Sequence, residues 1–252
     1  MLLAIDIGNT NIVFGLLDEG NLVFTSRIET NKNANSFLDD LKQVLDSFNI
    51  TIDSIEASII SSVVPELNNQ IKNDLNKLFN KKVYLVDSNI KSCLKIKIDN
   101  PSSLGSDRIC DAVAVIEEYK VPAIIIDMGT ATTISIIDED KNYIGGMIIP
   151  GIKTSLDALS TKASKLPNIT LDEPNGLIGK NTIDCMKSGI IYSNTCLIDG
   201  LIDKIKEELG NDYYIYSTGG LSRFIIKYSK HNIIYDENLL LKGLYYIYNK
   251  NK

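Results

Sequence analysis

The sequence predicts an α/β protein made of two equivalent lobes, each a mixed sheet flanked by helices. Three observations predict it. Leu2 to Asp18, LLAIDIGNTNIVFGLLD, reads as an apolar run, an acidic residue, a polar glycine-bearing turn and a second apolar run, the pattern of an antiparallel hairpin. Ile124 to Asp140, IIIDMGTATTISIIDED, repeats it, with Asp127 and Gly129 each 121 residues after Asp6 and Gly8. The LLDE and IIDE segments that follow are offset by 120, so the turn slips by one residue. Each hairpin also leads into further strands and helices in alternation, the layered α/β pattern. A repeat of nearly half the chain is a statement about architecture, and it divides the protein into expected lobes 1–120 and 121–252.

The first hairpin is followed by a third strand over Leu22 to Ile28. Ser36 is placed to cap a helix whose residues Phe37, Leu38, Leu41, Val44, Leu45 and Phe48 follow a 3.6-residue period. Ala57 to Val64 is a short strand running through Ser61 and Ser62, and Pro65 opens the next helix. Leu67, Ile71, Leu75 and Leu78 line that helix, and Val83 to Val86 is again a strand. Lys91 to Asn100 is irregular, and PSSLGSDR (Pro101 to Arg108) breaks the period before a helix striped by Ile109, Ala112, Val113 and Ile116. Asp107 and Arg108 fall in its first turn, where backbone N–H groups and an anion meet. An N-cap at Ser106 or Asp107 beside a solvated Arg108 reads equally well from the spacing.

The second lobe opens at Ala123. Gly145-Gly146 and Pro150-Gly151 bracket a short apolar strand and imply close backbone approach. A helix carrying Leu156 and Leu159 precedes a proline-containing loop from Ser164 to Gly179. Thr182 is expected to cap a long helix with a stripe of Ile183, Met186, Ile190, Leu197, Leu201, Ile205 and Leu209. Gly189 in its middle implies close packing against a neighbour. Tyr213 to Tyr216 is a strand ended by Ser217-Thr218-Gly219-Gly220, a turn able to lie flat against a nucleotide, and Asn238 to Tyr248 is the closing helix.

Composition narrows the function. The 252 residues carry 26 Lys and Arg against 32 Asp and Glu, a net charge of −6, with no basic block. That disfavours a nucleic-acid groove. Cys93, Cys110, Cys185 and Cys196 are scattered and the sole histidine is His231, which argues against a zinc site or a disulfide framework and for cysteines used as small core residues. Met1 leads straight into the first strand, and no apolar run reaches 18 residues, so a cytoplasmic protein without membrane contact is expected.

A polar turn of this kind aims N–H groups and small side chains at one point, which suits a phosphate, and an aspartate at the strand end suits hydrated Mg²⁺. A plain hairpin has the same pattern. Two such turns, one from each lobe, would meet at a cleft holding a polyphosphate.

The ordered motifs DIGNTN (Asp6–Asn11), GSDR (Gly105–Arg108), DMGTATT (Asp127–Thr133), GGMIIPG (Gly145–Gly151), GKNT (Gly179–Thr182) and STGG (Ser217–Gly220) resemble the type III pantothenate kinases of the acetate and sugar kinase/Hsc70/actin superfamily. The resemblance runs over nearly the whole chain. It implies duplicated ribonuclease H-like lobes of the actin-like ATPase fold, and ATP-dependent phosphorylation of the primary hydroxyl of pantothenate, the first step of coenzyme A synthesis. It also implies that Asp6, Ile7, Gly8, Asn9, Thr10, Asn11, Ile12 and Val13 hold the ATP phosphates, with Asp6 meeting Mg²⁺ through water. Thr130 would touch ATP, and Asp127 would ligate K⁺ or NH₄⁺. Gly105, Ser106, Asp107, Arg108 and Thr182 would contact pantothenate, with Asp107 as proton acceptor. Arg108 would pair with the substrate carboxylate or with developing charge. A homodimer binding pantothenate at its interface is implied too, with the helix from Thr182 as its candidate surface. One departure is Ile98, which stands where such kinases usually carry a tyrosine closing over pantothenate. Gly-Ser-Asp-Arg in place of the common Gly-Ala-Asp-Arg is minor. A sugar or small-acid kinase of the same superfamily and a non-catalytic nucleotide-binding regulator are the rival readings, the first opposed by GSDR and GKNT, the second by intact Asp6, Asp107 and Asp127.

Overall fold

The structure is a computed structural model that describes residues 1–30, 37–87, 90–210 and 213–252. The chain forms two compact units, Met1–Tyr119 with Asn238–Lys252, and Lys120–Glu237. The expected lobes were 1–120 and 121–252; in the structure Asn238–Lys252 groups with the first compact unit.

In the first unit the strands are β1 (Leu2–Ile7), β2 (Asn11–Asp18), β3 (Asn21–Glu29), β4 (Ala57–Ser62), β5 (Val83–Leu85) and the short β6 (Lys95–Ile96). The helices are α1 (Phe37–Ser47), α2 (Pro65–Phe79), α3 (Ser106–Glu118) and, at the C terminus, α7 (Leu239–Asn249). The expected cap Ser36 lies outside the described residues. Five strands order as β3-β2-β1-β4-β5, with β1 antiparallel to β2 and parallel to β4. Leu3, Ile5 and Ile7 of β1 pack with Phe37, Leu41 and Leu45 of α1 and with Leu67, Ile71 and Leu75 of α2. Each such fully buried aliphatic side chain contributes about 1.5–3 kcal/mol.

Against β1 and α3 lies α7. A Cβ on Gly243 would fall 2.0 Å from the Cys110 carbonyl oxygen, and one on Gly15 of β2 would fall 2.6 Å from Leu241 Cδ1. Charges reinforce the contact. Lys242 pairs with Glu118 at 2.8 Å, the Tyr246 hydroxyl donates to Glu118 at 3.1 Å, and Lys250 pairs with Glu117 at 2.5 Å. Sequence distance hid this partnership, because α7 completes a core begun more than a hundred residues earlier.

The second unit holds β7 (Ala123–Met128), β8 (Ala131–Ile137), β9 (Asn142–Pro150), α4 (Ile152–Lys162), α5 (Thr182–Leu209), β10 (Tyr214–Thr218), α6 (Ser222–Ile226) and β11 (Ile234–Tyr235). Its own strands run β11-β10-β7-β8-β9, so β7, β8 and β10 repeat the pairing of β1, β2 and β4. The register carries the repeat further. Asp6 faces Val13 and Asp127 faces Thr133. Gly8 N–H donates to Asn11 O at 2.9 Å, whereas Gly129 N–H donates to Ala131 O at 3.1 Å, so the second turn is one residue shorter. The next pairings, β2–β3 and β8–β9, slip register at matching places, Leu16/Leu17 and Ile136/Ile137.

The long helix corrects four expectations. Asn181, not Thr182, is the N-cap of α5, its side chain accepting from Asp184 N–H at 2.9 Å. The buried stripe runs Met186, Ile190, Ile191, Thr195, Ile198, Ile202 and Ile205, leaving Ile183 45% and Leu197 41% exposed. Thr195 keeps the stripe continuous, because its hydroxyl donates within its own turn to Ile191 O at 2.9 Å. Gly189 has open space where close packing was expected. Of the cysteines, Cys110 is buried, while Cys93, Cys185 and Cys196 are exposed. Among the described residues no helix is long and apolar enough to cross a membrane.

Two glycines in helices therefore have opposite fates. Gly243→Ala drives a methyl into the α3 backbone and is expected to cost about 1–3 kcal/mol. Gly200→Ala in α5, with nothing within 4 Å of the added Cβ, is expected to gain about 0.5–1 kcal/mol. Urea unfolding of the two variants checks both signs.

Candidate active site

Asp6 stands next to last in β1, half-buried, with Val13 opposite it on β2 and Ser61 opposite it on β4. The turn beyond it is held from β3: Thr30, just past that strand, donates its hydroxyl to Gly8 O at 2.7 Å and its N–H to Thr10 O at 2.9 Å. Ile7 and Ile12 are 0% and 3% exposed, so these two offer a ligand only their main chain. Asn9 and Thr10 are exposed at the tip. Thr30 was not singled out from the sequence, since nothing in a strand-ending threonine marks it as a brace.

The N-terminal turn of α3 presents the second carboxylate. Gly105 is the N-cap without a side-chain bond, and Asp107 Oδ1 accepts the Arg108 N–H at 2.8 Å. A Cβ on Gly105 would sit 2.4 Å from that same oxygen. The glycine of GSDR thus leaves room for the carboxylate to fold back over the helix start. Burial pushes the Asp107 carboxyl above its ordinary range, against the opposing Arg108 N–H bond and charge. Arg108 is half-buried beside it, and Ser106 is buried with its hydroxyl turned inward.

Asp6 and Asp107 share one neighbourhood. The buried Cys110 thiol is pushed well above its usual range by burial first, then by the charges of Asp111, Asp6 and Asp107. That thiol stays protonated, a small core group rather than a nucleophile. Asp111, 3% exposed, is a residue the sequence reading passed over, although its place one helical turn after Asp107 puts it on the same face. Ile98 lies half-buried in a bend shortly after β6.

In the second unit Asp127 repeats Asp6, half-buried with Thr133 and Thr218 as its register partners. Two glycines crowd its turn. A Cβ on Gly219, at φ 88°, would fall 2.6 Å from both Asp127 Oδ1 and Met128 O. One on Gly151 would fall 2.2 Å from Thr130 O, which also accepts the Thr154 hydroxyl at 2.7 Å. The expected use of Gly219 for approach to a ligand thus has a nearer physical reason, room for the Asp127 carboxylate. The Thr130 side chain is exposed. Carboxylate and carbonyl oxygens together form a hard donor set.

Thr182 is placed elsewhere in that unit. It lines a cavity of about 790 Å³ with Lys180, Cys185, Met186, Gly189 and Leu156. Gly179 of GKNT lies so close to the start of α5 that a Cβ would fall 2.3 Å from Cys185 N. The structure therefore brings Asp6 and Asp107 together in one unit, and Asp127, Thr130 and Gly219 together in the other. Thr182 stands in a pocket of its own.

A family model described as type III pantothenate kinase matches residues 2–204. A protein of Bacillus cytotoxicus named type III pantothenate kinase is 40% identical, over 100% of this chain and 97% of its own. Among solved structures, a conserved protein of the Baf family of transcriptional activators from Campylobacter jejuni matches with a TM-score of 0.62 at 24% identity, over 99% of this chain and 98% of that one. The activator of the 2-hydroxyisocaproyl-CoA dehydratase from Clostridium difficile, with bound ADPNP, matches with a TM-score of 0.58 at 11% identity, over 98% and 93%. The fold is that of the actin-like ATPases and sugar kinases.

The raised Asp107 carboxyl has a stability consequence. A carboxyl held above its unfolded value favours the fold below the unfolded pKa, and that contribution is lost as pH rises through the folded one. Asp107→Asn, which mimics the protonated form, is expected to stabilise the protein at neutral pH. The gain should vanish once the pH drops below the ordinary carboxylate range, as read by thermal unfolding across pH.

Proposed function

The chain belongs to the type III pantothenate kinase family, and from that premise we propose that it transfers the γ-phosphoryl group of ATP to the primary hydroxyl of pantothenate. The product is 4′-phosphopantothenate, at the first step of coenzyme A biosynthesis. The observation that carries this reading is the 40% identity along the whole chain. The convergence of Asp6 and Asp107 supports it.

Phosphoryl transfer asks a protein mainly for positioning and charge stabilisation. Asp107 accepts the proton of the attacking hydroxyl as the new oxygen–phosphorus bond forms and the bond to the ADP oxygen breaks. A carboxyl raised by burial is a stronger base than an exposed one, and suits that task at neutral pH. Gly105 to Arg108 meet pantothenate, Ser106 through its main chain, and the Arg108 guanidinium pairs with the substrate carboxylate. The turn from Asp6 to Val13 receives the ATP phosphates, and Thr130 is a further ATP contact. Ile98 takes the position of the lid over pantothenate with a purely apolar contact.

ATP-dependent kinases work with a divalent metal, here Mg²⁺, which neutralises phosphate charge when bound. Among the described residues no three His, Cys, Asp or Glu side chains gather to hold a metal. A single carboxylate, Asp6, acting through water and alongside substrate phosphates is the form Mg²⁺ binding usually takes. The oxygens of Asp127 and Met128 around Gly219 suit a monovalent cation, K⁺ or NH₄⁺. A homodimer is proposed through α5, whose exposed Ile183 and Leu197 support an apolar interface. Thr182 then reaches pantothenate from the partner subunit. A cytoplasmic location is part of the same proposal.

ADP release from Mg-ATP is expected to depend on pantothenate and on K⁺ or NH₄⁺, and to fall in Na⁺ at matched ionic strength. Turnover without pantothenate dependence overturns the reading. Asp107→Asn is expected to lower kcat by about 10²–10⁴-fold with ATP binding retained, while Asp127→Asn should remove most of the cation dependence. Steady-state kinetics and nucleotide titration measure both.

A further inference from the structure

One residue before Asp107, a hydroxyl ties α3 to the strand beside Asp6. Ser106 is 7% exposed and is the first residue of α3, yet its side chain does not cap that helix. It turns to the end of β4. Its oxygen accepts the Ser62 N–H at 2.9 Å, its proton goes to the Ser62 carbonyl at 3.0 Å, and the Ser61 hydroxyl lies 3.0 Å away.

A hydroxyl has one proton and two lone pairs. With the Ser106 proton committed to Ser62, the proton between the two hydroxyls comes from Ser61. Ser61 in turn stands beside the buried Cys110 thiol. The result is a one-way chain, Ser61 to Ser106 to the Ser62 carbonyl, with Ser106 filled by two acceptances and one donation. Ser61 and Cys110 are fully buried, so these bonds form without competition from water. Ser61 is also the residue opposite Asp6 in the β1–β4 pairing. One end of the network therefore sits at Asp6 and the other at the residue preceding Asp107.

We propose that Ser106 and Ser61 are positioning residues that set Asp107 at a fixed distance from Asp6 for phosphoryl transfer. The inference rests on the kinase reading given above. A helix start capped only by Gly105 is free to shift, whereas one pinned by three bonds at its first residue is not. In-line transfer is sensitive to displacements of about 1 Å, which is the scale of motion the network suppresses.

The test compares wild type with Ser106→Ala, Ser61→Ala, the double variant, and Ser106→Thr, which keeps the hydroxyl. Ser106→Ala is expected to lower kcat about tenfold with the KM for ATP nearly unchanged. The double variant should be no worse than Ser106→Ala alone, and Ser106→Thr should recover part of the loss. In parallel, the Asp107 carboxyl is titrated in the protein without substrates by ¹³C NMR. Its neighbours are Arg108, Cys110 and Asp111 on α3 and Asp6 on β1. Ser106→Ala is expected to move its midpoint down toward the ordinary carboxylate range as water reaches the loosened turn. An unchanged kcat with an unchanged Asp107 midpoint overturns the inference, whatever happens to the melting temperature, as do losses that multiply in the double variant. If wild type shows no pantothenate-dependent turnover, the kinase reading fails separately, and the titration still decides whether the network holds Asp107.

Discussion

A strand buried on both faces has no room for a charge until it leaves the sheet. That constraint fixes where the acidic groups of this protein stand. The first four residues of β1 are apolar and at most 3% exposed, and the carboxylate comes only at the penultimate position, where the strand opens into its turn. The same holds for β7 and Asp127. Two sheets obeying one rule give two strand-end carboxylates, each followed by a glycine turn, and the other site residues arrange themselves around them. Putting α3 beside the end of β4 sets Asp107 in the neighbourhood of Asp6. Bringing the turn after β10 against the end of β7 surrounds Asp127 with backbone oxygen.

Local pattern was enough for much of this. The duplicated hairpin was legible because Asp6-x-Gly8 and Asp127-x-Gly129, each closing an apolar run, stand 121 residues apart with matching segments after them, and even the one-residue slip survives as a shorter turn. Pro65, the serine pair after Ile60 and the break at Pro101 marked element ends by chemistry acting within a few residues. What stayed hidden depends on partners far away in sequence. The 3.6-residue period fixes a stripe only if polar members are admitted, and Thr195 is buried because its hydroxyl satisfies itself within the helix. Leu197 was assigned inward for lack of that information. Ser106 looked like an ordinary substitution beside a motif, since a serine at a helix start usually caps it. Only the position of β4 shows that its bonds run backwards to a strand. Gly189 and Gly243 look alike in the sequence, and one faces space while the other receives a helix backbone.

The carboxylate of Asp107 sits at a compromise. The helix start and Arg108 favour its charge, burial opposes it more strongly, and the net effect is an acid raised above its ordinary range. A group in that balance is costly to the fold and useful to a reaction that must remove a proton. The surrounding buried hydroxyls and the neutral thiol of Cys110 stiffen the site without adding further charge.

The order in which the chain is made gives α7 another meaning. The second unit is continuous in sequence, Lys120–Glu237, so it can fold on a ribosome as soon as it has emerged. The first unit cannot finish then. Its helix α3 waits for α7, and the face that seats Gly243 stays bare until Leu239–Asn249 has been made. A chain interrupted before α7 would carry a finished second unit and an open first one, with the α3 backbone around Cys110 uncovered to chaperones and proteases.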